Sequence, residues 1–139
     1  MSTNAPTAAL DLFESLLRLE QVVLAAETLA ETRFIIANET RTLAPYMQAT
    51  LLAGTQDEPL RAQALANLSE VDRSTPLVAW TERLAQHLAR ELPGRELRVV
   101  TPEQLSPELR RDWADFAPAH LLWMPLHVRE HQRLGVLLL

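Results

Sequence analysis

Apolar residues recur at helical spacing from the start of the chain. Leu12, Leu16, Leu19, Val23 and Ala26 are 4, 3, 4 and 3 residues apart, one stripe of an amphipathic helix, and Leu10, Phe13, Leu17 and Leu24 widen it. Thr28-Leu29-Ala30-Glu31 has the form of a capping box, which predicts a bend and a second helix running to about Leu43. Ala44-Pro45 ends it, because the residue before proline avoids the helical region. Tyr46 to Leu52 then alternates, with Met47, Ala49 and Leu51 on one side and Tyr46, Gln48 and Thr50 on the other, as a strand does. A turn-rich stretch, residues 53–59, leads into Leu60–Ser69, which fits either helix by propensity or strand by alternation.

Punctuation is clearer in the second half. Thr75-Pro76 is a cap followed by a first-turn proline, and Leu77, Trp80, Leu84, Leu88 and Leu92 follow at helical spacing until Pro93-Gly94. Leu97–Val100 reads as a short strand, and Ser106-Pro107 opens a short helix through Asp115. Leu121–Val128 and Leu134–Leu139 read as two strands about the turn at residues 129–133. The expected order is α-α-β-β-α-β-α-β-β. With hairpins near both ends and no regular βαβ repeat, it implies an α+β fold with an antiparallel sheet. Residues 1–7 read as a flexible tail and 8–139 as one domain.

Composition narrows the chemistry. The 139 residues carry 13 basic and 18 acidic side chains, a formal charge of −5, and every basic residue is arginine. Without lysine there is no Schiff base, phosphate-loop lysine or Ser–Lys dyad. Without cysteine there is no disulfide, thiolate nucleophile or thiolate metal site. An acidic chain lacks the positive footprint that nucleic acids require. Gly54, Gly94 and Gly135 are isolated, so no glycine-rich phosphate loop is possible, and no G-x-S-x-G elbow is present. The expectation is a non-catalytic domain that needs no cofactor. His120, His127 and His131 are close in sequence, but the four-residue spacing of the last two falls across a turn, so no metal site is assigned. No signal peptide or membrane-spanning stretch is visible, and a cytoplasmic location follows.

Two resemblances add to this reading. Leu121-Leu122-Trp123-Met124-Pro125-Leu126, followed by Leu134-Gly135-Val136-Leu137-Leu138-Leu139, resembles the closing hairpin of GAF domains. That resemblance implies a GAF-like antiparallel sheet of five to six strands flanked by helices, and it favours strand for residues 60–69. Asn38-Glu39-Thr40-Arg41, Pro45-Tyr46-Met47-Gln48-Ala49, Val71-Asp72-Arg73-Ser74-Thr75-Pro76 and Trp80 resemble the cytoplasmic GAF-like region of haemolysin-D-type membrane-fusion proteins, adaptors of bacterial efflux or type I secretion systems. It implies a sensory or docking role beside transport-system components. The chain would then be cut before a closing helix, with a membrane tether beyond Leu139.

The same segments supply candidate site residues. Arg41, Tyr46, Gln48, Asp72, Arg73, Trp80 and Trp123 could line a pocket for an unknown small molecule between sheet and helices. Each also has a structural reading, as an ion pair, a turn cap or core. The wide apolar set of the first helix, with Leu12, Leu16, Leu19 and Val23 at its centre, suits a homodimer through paired N-terminal helices. The alternatives to the adaptor reading are a ligand-free homodimerisation module and a small-ligand sensing domain of a signalling or transcription regulator.

Overall fold

The computed structural model describes residues 5–55, 57–117, 119–129 and 132–138; for residues 127–138 the description covers the backbone. Helix α1 spans Ala5–Ala25 and α2 spans Leu29–Asn38, continued by one 3-10 turn, Glu39–Thr42. Strands β1 (Ala49–Thr55) and β2 (Arg61–Leu65) precede α3 (Pro76–Glu91). Strand β3 (Arg98–Val100), α4 (Pro107–Phe116), β4 (Leu121–Arg129) and β5 (Gln132–Leu138) complete the chain, with a 3-10 turn at Pro102–Gln104.

Local chemistry explains the boundaries. Thr28 Oγ1 accepts from the Glu31 backbone N–H at 3.1 Å, while Glu31 Oε2 accepts from the Glu27 N–H at 2.9 Å. The reciprocal cap therefore closes one residue further back than the sequence pattern suggests. Thr75 Oγ1 caps α3 through the Val78 N–H, and Pro76 occupies the first turn, where its missing N–H costs nothing. Strand β1 begins at Ala49 rather than at the expected Tyr46. The Tyr46 hydroxyl donates to the Ala37 carbonyl at 2.8 Å, which draws residues 45–48 back onto the end of α2 and out of the ladder. Strand β2 is only the first half of the expected 60–69 strand, because Asn67 takes a left-handed conformation (φ 66°) and turns the chain.

All strand neighbours are antiparallel, in the order β2-β1-β5-β4-β3. The expected GAF-like sheet of five to six strands flanked by helices nevertheless needs correction. Apart from β5, which joins them, the sheet consists of two small two-stranded antiparallel pairs. In β1–β2, four residue pairs run from Thr50↔Leu65 to Ala53↔Arg61; in β3–β4, three run from Arg98↔Trp123 to Val100↔Leu121. Helices pack on these short pairs. Strand β3 stops after three residues because Thr101-Pro102 starts a 3-10 turn, and β2 stops at the Asn67 turn. None of the 21 residues of helix α1 is buried.

The principal core lies under α3 and α4. Trp80, Leu84 and Leu88 from α3 and Leu109 and Trp113 from α4 meet Leu52, Val100, Leu121 and Trp123 from the strands. Trp80 and Trp113 pack edge to face, with ring centroids 6.0 Å apart and planes at 85°. A smaller cluster forms around α2, where Ala37 and Ile36 meet Leu51, Ala64, Met124 and Leu126. No helix among the described residues is long and apolar enough to cross a membrane.

Candidate functional site

A cleft of about 250 Å³ lies between α2 and β2. Ala30, Arg33 and Phe34 of α2 form one wall, Ala62, Gln63 and Ala64 of β2 another, and Leu68, Ser69, Glu70, Val71 and Arg73 close it along the loop to α3. Phe34 and Leu68 are both nearly half exposed. The cleft thus combines apolar surface with polar and charged groups, Arg33, Glu70 and Arg73 among them, and is more polar than a typical small-molecule site. Arg33 has no ion pair among the described residues, so its guanidinium is the cleft's free cation.

Arg73 is the one sequence-predicted site residue in this lining, and it has structural work as well. Its Nη2 donates to the Ala62 carbonyl at 2.9 Å and its Nε lies 3.5 Å from Glu82 Oε1. Glu82 is buried, accepts from the Ala62 N–H at 3.0 Å and pairs with Arg61 at 2.9 Å. This network fixes the outer edge of β2, which is the floor of the cleft. Asp72 is exposed. Its Oδ1 accepts from both the hydroxyl (2.6 Å) and the backbone N–H (2.9 Å) of Ser74, and these bonds hold its carboxyl below the ordinary range. Asp72 is therefore a turn former at the entry to α3.

The remaining candidates are dispersed. Trp80 is buried in the principal core and its Nε1 donates to the Leu109 carbonyl at 3.1 Å. Trp123 is equally buried on the same side, and its Nε1 has no acceptor among the described residues. Gln48 is half-buried in the segment before β1. Arg41 and Tyr46 do meet, with the guanidinium carbon 5.1 Å from the ring centroid. Thr40 Oγ1 lies 2.9 Å from the Tyr46 hydroxyl and, with the Ala37 bond, pins the ring. The single pocket expected for all seven residues thus resolves into a core, a turn, an Arg–Tyr contact, one cleft residue, and Gln48 in the segment before β1. Arg33, Phe34, Gln63 and Glu82 were not singled out; nothing in their spacing distinguishes them from ordinary surface positions.

On α1, Leu19 and Val23 are half-buried, whereas Leu12 and Leu16 are 52% and 50% exposed. The expected interface residues share one face of the helix, open in its N-terminal half and half-covered toward its C-terminal end. Among the described residues no group of three His, Cys, Asp or Glu side chains is placed to hold a metal ion; His131 and the His127 side chain lie outside them.

No protein family and no curated protein matches the chain. Two solved structures share its fold. A methyl-accepting chemotaxis protein, residues 122 to 287, aligns with a TM-score of 0.60 at 10% identity, over 90% of this chain and 81% of that one. The LBD domain of VqsR from Pseudomonas aeruginosa aligns with a TM-score of 0.60 at 15% identity, over 91% of this chain and 77% of that one. Neither is a membrane-fusion adaptor, and neither supports the GAF or adaptor resemblance.

Proposed function

We propose that this chain is a sensory domain of a signalling protein, binding a small ligand in the cleft between α2 and β2. The observation that carries the reading is the cleft itself, with mixed apolar and polar walls and an arginine that has no ion pair among the described residues, on a fold shared with a chemotaxis-receptor region and an LBD domain. Its volume is below the roughly 300–1,000 Å³ typical of ligand pockets, so the ligand is a small metabolite. The adaptor setting is left aside, because the structural neighbours belong to signalling proteins.

Signalling follows from what α2 touches. One side of α2 walls the cleft, and α1 packs on α2 and on the 3-10 turn that continues it. A ligand that draws α2 toward β2 changes the seat of α1 and biases two arrangements of the N-terminal helix. Native mass spectrometry of freshly purified protein, followed by a metabolite thermal-shift panel, tests the proposal. A retained or stabilising compound whose effect is lost in Arg33→Ala supports it. A panel without effect, or one whose hits are unchanged by Arg33→Ala, removes the cleft as the site.

A second reading is favoured by α1 alone. Leu10, Leu12, Phe13, Leu16, Leu17, Val22 and Leu24 are each at least 41% exposed along this helix. An exposed apolar face this wide belongs in an interface. Self-association through α1 is compatible with sensing, since the same helix would carry the output.

A further inference from the structure

Arg41 stands apart from the cleft. It lies in the 3-10 turn after α2, its guanidinium stacked on a Tyr46 ring that two hydrogen bonds hold in place. Its Nε and Nη2 are buried, and neither has an acceptor among the described residues. These two nitrogens are not an arbitrary pair. In a guanidinium, Nε–H and the outer Nη2–H lie on the same edge and point in parallel, the two-pronged geometry that receives both oxygens of one carboxylate. A buried polar group without a partner is costly, and a charged donor more so. The contact with Tyr46 offsets part of that cost for the cation but accepts neither of the two N–H groups.

We propose that the Nε/Nη2 edge of Arg41 is a binding site for the carboxylate of a small organic anion. The choice of carboxylate over a doubly charged phosphate rests on the field of the chain, whose net charge of −5 opposes a dianion more than a monoanion. Access requires local movement, because both nitrogens are covered. The helix packed on this turn is α1, which buries none of its own residues and so is held by little surface.

Acetate, added to the full chain at constant ionic strength with chloride as the balancing anion, tests this. The readout is the Arg41 Nε–H and Tyr46 ring signals in NMR spectra of the wild type, with a thermal shift in parallel. The expected result is a saturable acetate-dependent change centred on those two signals and absent with chloride. Arg41→Lys keeps the charge but loses the two-pronged edge, and should weaken acetate binding by about tenfold or more. Arg33→Ala should leave it unchanged, which separates this site from the cleft. An acetate response identical to that of chloride, or no response at Arg41 in the wild type, overturns the proposal, and so does unchanged binding in a folded Arg41→Lys. None of these results bears on the cleft.

Discussion

The backbone N–H of Ala62 donates to Glu82 Oε1 at 3.0 Å, so a side chain of α3 occupies the hydrogen-bonding edge of the outermost strand. Edge strands expose unpaired backbone groups that recruit other chains, and here the Ala62 donor is taken by Glu82 while its carbonyl is taken by Arg73. Glu82→Ala removes the acceptor and leaves a buried N–H and two arginines without their counter-ion. The expected loss of stability is about 2–3 kcal/mol. Glu82→Gln, which keeps an oxygen for Ala62, should lose less. Urea denaturation of the three proteins decides it; equal midpoints for Glu82→Ala and wild type would show that the network carries no weight.

The two buried tryptophans give a paired test. Trp80 and Trp123 are each about 2% exposed or less and share one core, but only Trp80 has an acceptor for its indole N–H. Trp80→Phe leaves the Leu109 carbonyl without that bond, whereas Trp123→Phe deletes a donor that has no described partner. Trp80→Phe should therefore cost about 1–2 kcal/mol more than Trp123→Phe. The reverse order in chemical denaturation would point to an unseen acceptor at Trp123.

How far the sequence disclosed this arrangement depends on the kind of signal. Where a local rule operates the elements are legible: Thr75-Pro76 starts α3, Thr28 caps α2, and the order of helices and strands follows. Edges set by tertiary contacts are not legible. Tyr46 alternates like a strand residue but leaves the ladder because its hydroxyl reaches Ala37. The candidate site was the least readable part. Residues adjacent in sequence motifs, such as Arg73 and Trp80, separate into cleft and core, because Arg73 lies in the loop before α3 and Trp80 on the buried face of that helix. Arg33 and Glu82 matter through neighbours 29 to 40 positions or 20 positions away, which no local pattern records.

Gly54 is a position where only glycine fits. A Cβ there would lie 2.8 Å from the Pro59 carbonyl oxygen and 3.1 Å from that of Glu58, both backbone atoms. Gly54→Ala must push the two sides of the β1–β2 connection apart. A cost of about 1–3 kcal/mol is expected, with little effect if the loop relaxes freely. Thermal melts of the variant measure it, and an unchanged melting temperature would rule out a rigid connection.

Asp72 gives a pH dependence of defined sign. Its bonds from the Ser74 hydroxyl and then the Ser74 N–H lower its pKa below the ordinary value of 3.8. A carboxyl depressed in the folded state contributes stability that is fully present above its unfolded value and is lost as pH falls through the folded one. The difference in stability between wild type and Asp72→Ala should thus be constant near neutral pH. It should shrink below pH 3.8 and vanish once Asp72 itself is protonated. A difference that grows on acidification would contradict the assignment of Asp72 as a charged turn former.

Helix α1 is the last and most general test. It is 21 residues long, about 31 Å at 1.5 Å per residue, and none of its residues is buried. Its polar positions include Asp11, Glu14 and Glu20 against the single Arg18. Helices that lie on anionic membranes carry the opposite balance, rich in Lys and Arg, so charge disfavours a lipid surface and favours a protein partner. A second copy supplies an apolar helix of matching length. Leu16 is half exposed and makes little of the monomer's core, so Leu16→Asp should leave the fold intact while breaking the pair. Light scattering should give a dimer mass for the wild type and a monomer mass for Leu16→Asp, and only the wild type should have a concentration-dependent melting temperature. Equal masses for the two proteins would exclude α1 as a self-association surface and leave its apolar face to a different partner.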